Sequence, residues 1–122
     1  MTTPKTITID GTEYIRKEDA QSLPAVSEKF AVVRCRNAGV HAGEVAHFDE
    51  SEVVLGNSRR LWQWGSKATL SELAMYGPDK DKTQKYACVL PTLRLTRSDV
   101  AEIIPCTKEA AQLIMEVEKW EN

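Results

Sequence analysis

At 122 residues the chain has room for one ordinary domain, long enough to bury roughly two-thirds of the surface its unfolded form exposes. Its 42% apolar and 28% charged residues lie close to globular averages and exclude a wholly disordered chain. Its 16 basic and 18 acidic side chains leave a net charge of -2, which argues against a dedicated non-specific nucleic-acid binder.

The N-terminal end reads as an arm, residues 1–29, ahead of a main domain at 30–122. Thr6 to Ile15 holds two short alternating runs around Asp10-Gly11, a pair that readily takes the dihedrals of a type I′ turn. A β-hairpin is expected there. Arg16 to Lys29 is polar, contains Pro24 and reads as a linker.

The main domain opens with strand-like Phe30–Arg36 and a turn at Asn37–Gly39. A second strand over Val40–Phe48 contains Gly43, the mark of a bend or bulge. After the Asp49–Ser51 turn comes Glu52–Leu55. Gly56, Asn57 and Ser58 break that strand, and Arg59–Trp64 resumes it. Consecutive strands joined by short turns make a meander.

The period then changes. Thr69-Leu70-Ser71-Glu72 has the form of a capping box and predicts a helix to about Tyr76, ended by Gly77-Pro78. A charged loop follows to Gln84. Lys85–Thr96 is extended, with Pro91 unsuited to a central strand. Val100–Ile104 is a further strand. Thr107 caps a last helix whose apolar face carries Ala110, Leu113, Ile114, Val117 and Trp120. The fold class is α+β: a strongly curved antiparallel sheet or small open β-barrel, two flanking helices and the N-terminal hairpin arm.

Three widely spaced cysteines, Cys35, Cys88 and Cys106, make neither a disulfide framework nor a zinc motif, so a reduced intracellular chain is expected. The opening segment lacks a signal-peptide core, and no apolar run approaches the roughly 18 residues of a membrane span. The expectation is a soluble cytoplasmic protein without membrane contact.

Alternation along the first strand sets Ala31, Val33 and Cys35 on one face, and Phe30, Val32, Arg34 and Arg36 on the other. The first set suits the core. Arg34 and Arg36 then form either a charged, solvated strand edge or an anion site. Along the third strand Arg60, Trp62 and Trp64 share a face. They suit core or subunit packing first, and second a platform on which a ring stacks while a guanidinium holds an acid. Asn37–His41 reads as a hairpin connection or as a turn presenting backbone N–H groups and His41 to an anion, and His41 and Asn57 are the weaker candidates.

His41 and His47, with Glu44, Asp49, Glu50 and Glu52 nearby, lack the clustering of a metal site, and no metal or cofactor is expected. No nucleophile elbow is present, so an enzyme ranks last.

Three stretches carry a resemblance: VVRCRNAGVHAGE (residues 32–44), EVVLGNSRRLWQW (52–64) continuing into ATLSELA (68–74), and IIPCTKEA (103–110). In this order they resemble a family of small tailed-bacteriophage and prophage proteins known as a domain of unknown function. The resemblance spans about Phe30 to Val117. It implies a phage-encoded protein acting in a bacterial host and implies no reaction. The favoured reading is a non-enzymatic binder of a small anionic, nucleotide-like ligand, such as a host immune signal. Its site would be built from Arg34, Arg36, His41, Asn57, Arg60, Trp62 and Trp64. The alternative is a protein-interaction module that inhibits a host factor or serves in a phage assembly. Single-stranded nucleic-acid binding ranks below both. A homo-oligomer is expected, from the thin arm and the three tryptophans.

Overall fold

The computed structural model describes residues 26–65 and 69–121. The hairpin expected at Thr6–Ile15 lies outside them, as does most of the linker. Strand β1, Val26–Cys35, starts inside the stretch read as linker, with Val26 paired to Thr107. The sheet therefore begins four residues before Phe30.

Strands β2 (Val40–Phe48) and β3 (Glu52–Trp64) continue the expected meander. The break foreseen at Gly56–Ser58 is absent. Asn57 instead takes a left-handed conformation, φ 47°, and the strand runs on for 13 residues. Helix α1 (Leu70–Tyr76) follows, then β4 (Gln84–Tyr86), β5 (Leu90–Thr96), a 3-10 turn at Arg97–Asp99, β6 (Val100–Thr107) and helix α2 (Lys108–Glu116). The extended stretch at Lys85–Thr96 is thus two strands. Both pair with β3, β5 along its first half and β4 along its last residues. Pro91 lies in β5 and Pro105 in β6, strands at the two edges of the sheet, where a missing N–H costs no ladder bond.

All ladders are antiparallel, in the order β4/β5, β3, β2, β1, β6. A flat sheet would set β5 and β6 four spacings apart, about 19 Å at ~4.8 Å each. Yet three residues of 3-10 helix, with a rise of about 2 Å per residue, join them. The sheet must curl. Bulges at Ala42/Glu44, Val45/His47 and Arg34/Cys35 provide the bend. The connector is pinned at both ends: Arg36 N–H donates to Asp99 O at 2.7 Å and Arg97 N–H to Ser51 O at 3.0 Å. No ladder joins β5 to β6 among the described residues, so the sheet is open and strongly curved.

The curl gives the sheet two buried faces, where alternation along β1 had suggested one. Phe30 and Val32, with Ala42, Leu61, Tyr86 and Cys106, meet Leu73, Ala74, Ala110 and Ile114 of the helices. On the inner face Val33 and Cys35 pack with Val53, Leu55, Leu95 and Val100. Thr69 and Thr107 cap the two helices through their hydroxyls, accepting from Glu72 N–H at 3.2 Å and Ala110 N–H at 3.1 Å. Thr107 Oγ1 also donates to Met75 O at 2.8 Å, tying the start of α2 to the end of α1. Gly77, at φ 83°, closes α1, and a Cβ there would sit 2.9 Å from Leu113 Cδ1.

The last helix ends earlier than its apolar pattern predicts, and Trp120 is not part of it. Arg59, 2% exposed, reaches from β3 under the helix end. Its Nη1 donates to Val117 O at 2.6 Å, Ile114 O at 3.2 Å and Met115 O at 3.3 Å. A guanidinium takes up the carbonyls that a helix leaves unpaired. The chain then turns back along β4, where Trp120 N–H donates to Tyr86 O at 2.9 Å.

Candidate functional site

On the inner face, beside the Val33 cluster, β2 and β3 bring four side chains together. His41 and Arg60 are cross-strand partners. Gly43 lies one pleat further along, so close to Ser58 that a Cβ on it would fall 2.5 Å from Ser58 Cβ. The lack of a side chain at Gly43 is what gives Ser58 its place. Trp62 extends the row beyond Arg60. The Ala87–Leu90 segment forms the opposite wall, held by Ala87 N–H donating to Arg60 O at 2.8 Å and by Leu90 pairing with Ser58. The result is a cleft of about 280 Å³ lined by His41, Ser58, Arg60, Trp62, Ala87, Cys88, Leu90 and Leu93.

Its floor is polar and buried. His41 is 2% exposed, and its Nε2 lies 2.9 Å from the Ala38 carbonyl. A carbonyl only accepts, so Nε2 carries the hydrogen and Nδ1 is the bare nitrogen of the neutral ring. Burial is the main cause that lowers the His41 pKa below its ordinary value; the Ala38 bond opposes it and the Arg60 charge adds to it. Ser58 is fully buried, and among the described residues its Oγ has no hydrogen-bond partner.

The rim is exposed. Arg60 is open to solvent, and Trp62 is 54% exposed, with its ring edge-on to Trp120 at 5.5 Å. Leu90, also exposed, adds apolar surface at the cleft.

Of the seven expected site residues, the fold unites His41, Arg60 and Trp62 and disperses the rest. Arg34 pairs across the strands with Glu102, Nε to Oε1 2.7 Å, on the surface. Arg36 lies past the end of β1, with Nη1 3.5 Å from Ser98 O. Asn57 faces a separate groove of about 730 Å³ beside α2, together with Lys29, Glu44, Lys108 and Met115. Trp64 packs on the helix-side core, although strict alternation places it with Arg60 and Trp62. The register shift between Leu61 and Gln63 against β4 inserts one residue and turns Trp64 to the other face. Ser58 and Cys88 carry no signal in the sequence: one stands in an apparent strand break, the other in a segment without a motif.

His47, Asp49 and Glu52 hold ligand atoms within 4.8 Å of one another. Each is already engaged. Asp49 Oδ2 meets His47 Nε2 at 2.7 Å, while Oδ1 accepts from Ser51 N–H, Ser51 Oγ and Glu52 N–H. Those bonds, with His47 the strongest influence, hold the Asp49 carboxyl well below its ordinary value. Glu52 takes Arg94 through both oxygens at 3.1 Å. The cluster is a turn's own wiring. His41, the other histidine of β2, is buried in the cleft instead. Among the described residues no helix is long and apolar enough to cross a membrane.

Residues 28–114 match the family described as Domain of unknown function (DUF6948). The chain belongs to that family. The matched span contains every residue of the cleft and ends before Trp120. No curated protein and no solved structure matches the chain.

Proposed function

We propose that the protein is a non-enzymatic binder of a small planar anion, held in the His41–Ser58–Arg60–Trp62 cleft. The observation that supports this most is Ser58 Oγ, buried on the floor of an open cleft without a partner among the described residues. Buried hydroxyls are nearly always satisfied, so one left over in a ligand-sized space suits a polar group brought in from outside. Arg60 would take the acid, the exposed face of Trp62 the ring, and Ser58 a polar group at the far end. The volume lies just below the range of roughly 300–1,000 Å³ typical of drug-sized ligands, which favours one ring with its acid over a dinucleotide. In the phage setting that the sequence resemblance implies, a nucleotide-like host immune signal would be such a ligand, and the protein would sequester it in the bacterial cytoplasm.

A second reading is supported by the apolar rim: Trp62 and Leu90 also suit docking of a host protein or of another copy of the chain. Native mass spectrometry of protein purified from bacterial cells separates the two, with titration by adenosine monophosphate as a defined probe. Binding of a small mass, or of the probe, weakened about tenfold in Arg60→Ala, is expected. Ligand-free protein that also ignores the probe overturns the first reading. An oligomer or protein complex in that sample favours the second.

A further inference from the structure

The three thiols are placed very differently. Cys106 is fully buried in the helix-side core, and burial pushes its pKa up to about 12. Cys35 lies in the inner core, and its thiol is likewise raised, first by burial and then by Asp99. Such thiols are poor nucleophiles. Cys88 is exposed and lines the cleft. Arg60 lines the same cleft, as does the buried Ser58, whose Oγ has no partner among the described residues.

We propose that the cleft is a covalent capture site, in which Cys88 forms a mixed disulfide with a small anionic disulfide whose acid group lies on Arg60. This rests on the reading of the cleft as an anion site and adds the bond that forms there. The thiol first loses its proton to solvent. Cys88 Sγ then attacks one sulfur of the incoming disulfide, whose S–S bond breaks as the new one forms. The other half departs as a thiolate with the electron pair. Arg60 raises the local concentration of an anionic reagent over a neutral one of the same reactivity. Ser58 Oγ, on the floor, hydrogen-bonds a polar group of the half that stays.

The test compares two aromatic disulfides, anionic dithiobis(nitrobenzoate) and neutral dithiodipyridine, each rate normalised to that with a neutral cysteine peptide. The expected result is a preference of about two- to fivefold for the anion, the size of an exposed charge contact. It should shrink with salt, vanish in Arg60→Ala and persist in part in Arg60→Lys. Labelling should stop at one group per chain and be absent in Cys88→Ser. An equal normalised rate for both reagents, a preference unchanged in Arg60→Ala, or labelling of Cys35 or Cys106 ahead of Cys88 overturns the proposal. Unreactive nitrobenzoate separates the two readings. If it shields Cys88 from dithiodipyridine but the anion shows no preference, anion binding stands and covalent capture falls. If it neither shields Cys88 nor meets a charge preference, both fall.

Discussion

His41 shows how much one buried ring constrains. Its neutral form fits the cleft floor, and its Nε2–H is committed to the Ala38 carbonyl. Protonation would place a charge in a space that burial disfavours and that Arg60 already makes positive. The folded pKa is below the ordinary 6.5, so near that pH the unfolded chain binds more protons than the folded one. The stabilising contribution is fully present above pH 6.5 and is lost as pH falls through the folded value. Urea unfolding between pH 5 and 7 should therefore show stability declining toward acid, and His41→Gln should flatten that segment. Asp49 and Asp99, both held below 3.8, add their own losses only at lower pH. A wild-type profile already flat over this interval contradicts a lowered His41 pKa.

At the scale of elements, helix α2 depends on a residue from the sheet. Arg59 donates to three carbonyls at the helix end and, through Nε, to Ala87 O at 2.9 Å, while its guanidinium lies 5.3 Å from the centre of the Tyr86 ring. Burial lowers its pKa without making it neutral, since guanidinium stays charged far above physiological pH. Arg59→Met keeps the length and removes every donor. The buried acceptors are then stranded, and a loss of about 2–4 kcal/mol is expected in urea unfolding with an unchanged m-value. A change below about 0.5 kcal/mol would show that the helix end is held by packing alone. This anchor also fixes the cleft indirectly, because Ala87 and Cys88 lie next to the carbonyl that Arg59 holds.

The whole molecule is held in its curl by the short 3-10 connector between the sheet edges. Asp99 is the clasp. Its carboxylate accepts from Asn37 N–H at 2.8 Å, Asn37 Nδ2 at 2.9 Å and Ala38 N–H at 2.9 Å, locking the connector onto the β1–β2 turn. Desolvation opposes ionisation more than any other single influence, yet those bonds and Arg36 together hold the carboxyl below its ordinary value. Asp99→Ala should open the curl locally. Hydrogen exchange at Asn37 and Ala38 is expected to accelerate about tenfold or more, with a lower melting temperature and the helix-side core unaffected. Uniform acceleration across the sheet would mean instead that the clasp and the core unfold as one unit. Since Ala38 also holds His41, the same substitution should loosen the cleft floor and weaken the anion binding proposed at Arg60.

Local chemistry in the sequence was enough for most elements. Thr69 and Thr107 announce their helices because a hydroxyl three residues ahead of an amide caps it wherever the chain goes. Val40–Phe48 is bounded by turn residues whose own backbone needs end the strand. The α+β class followed from the change of period at Thr69. Other features needed the tertiary structure, and each miss has a cause in long-range contact. Trp64 parts from Trp62 because a bulge against β4 shifts the register, and bulges are set by the partner strand. The last helix stops short of Trp120 because Arg59, more than fifty residues earlier, takes its carbonyls. Arg34 is a surface ion pair because Glu102 lies opposite it. The site was legible only in part: His41, Arg60 and Trp62 carry chemistry visible in their side chains. Ser58 and Cys88 acquire theirs only from where the fold puts them, one buried without a partner and one open at the mouth of the same cleft. Side-chain chemistry and local period belong to the residue and its near neighbours, so the sequence alone determines them. Which groups meet, and which polar atoms stay unsatisfied, depends on pairing between distant strands, and only the folded chain decides it.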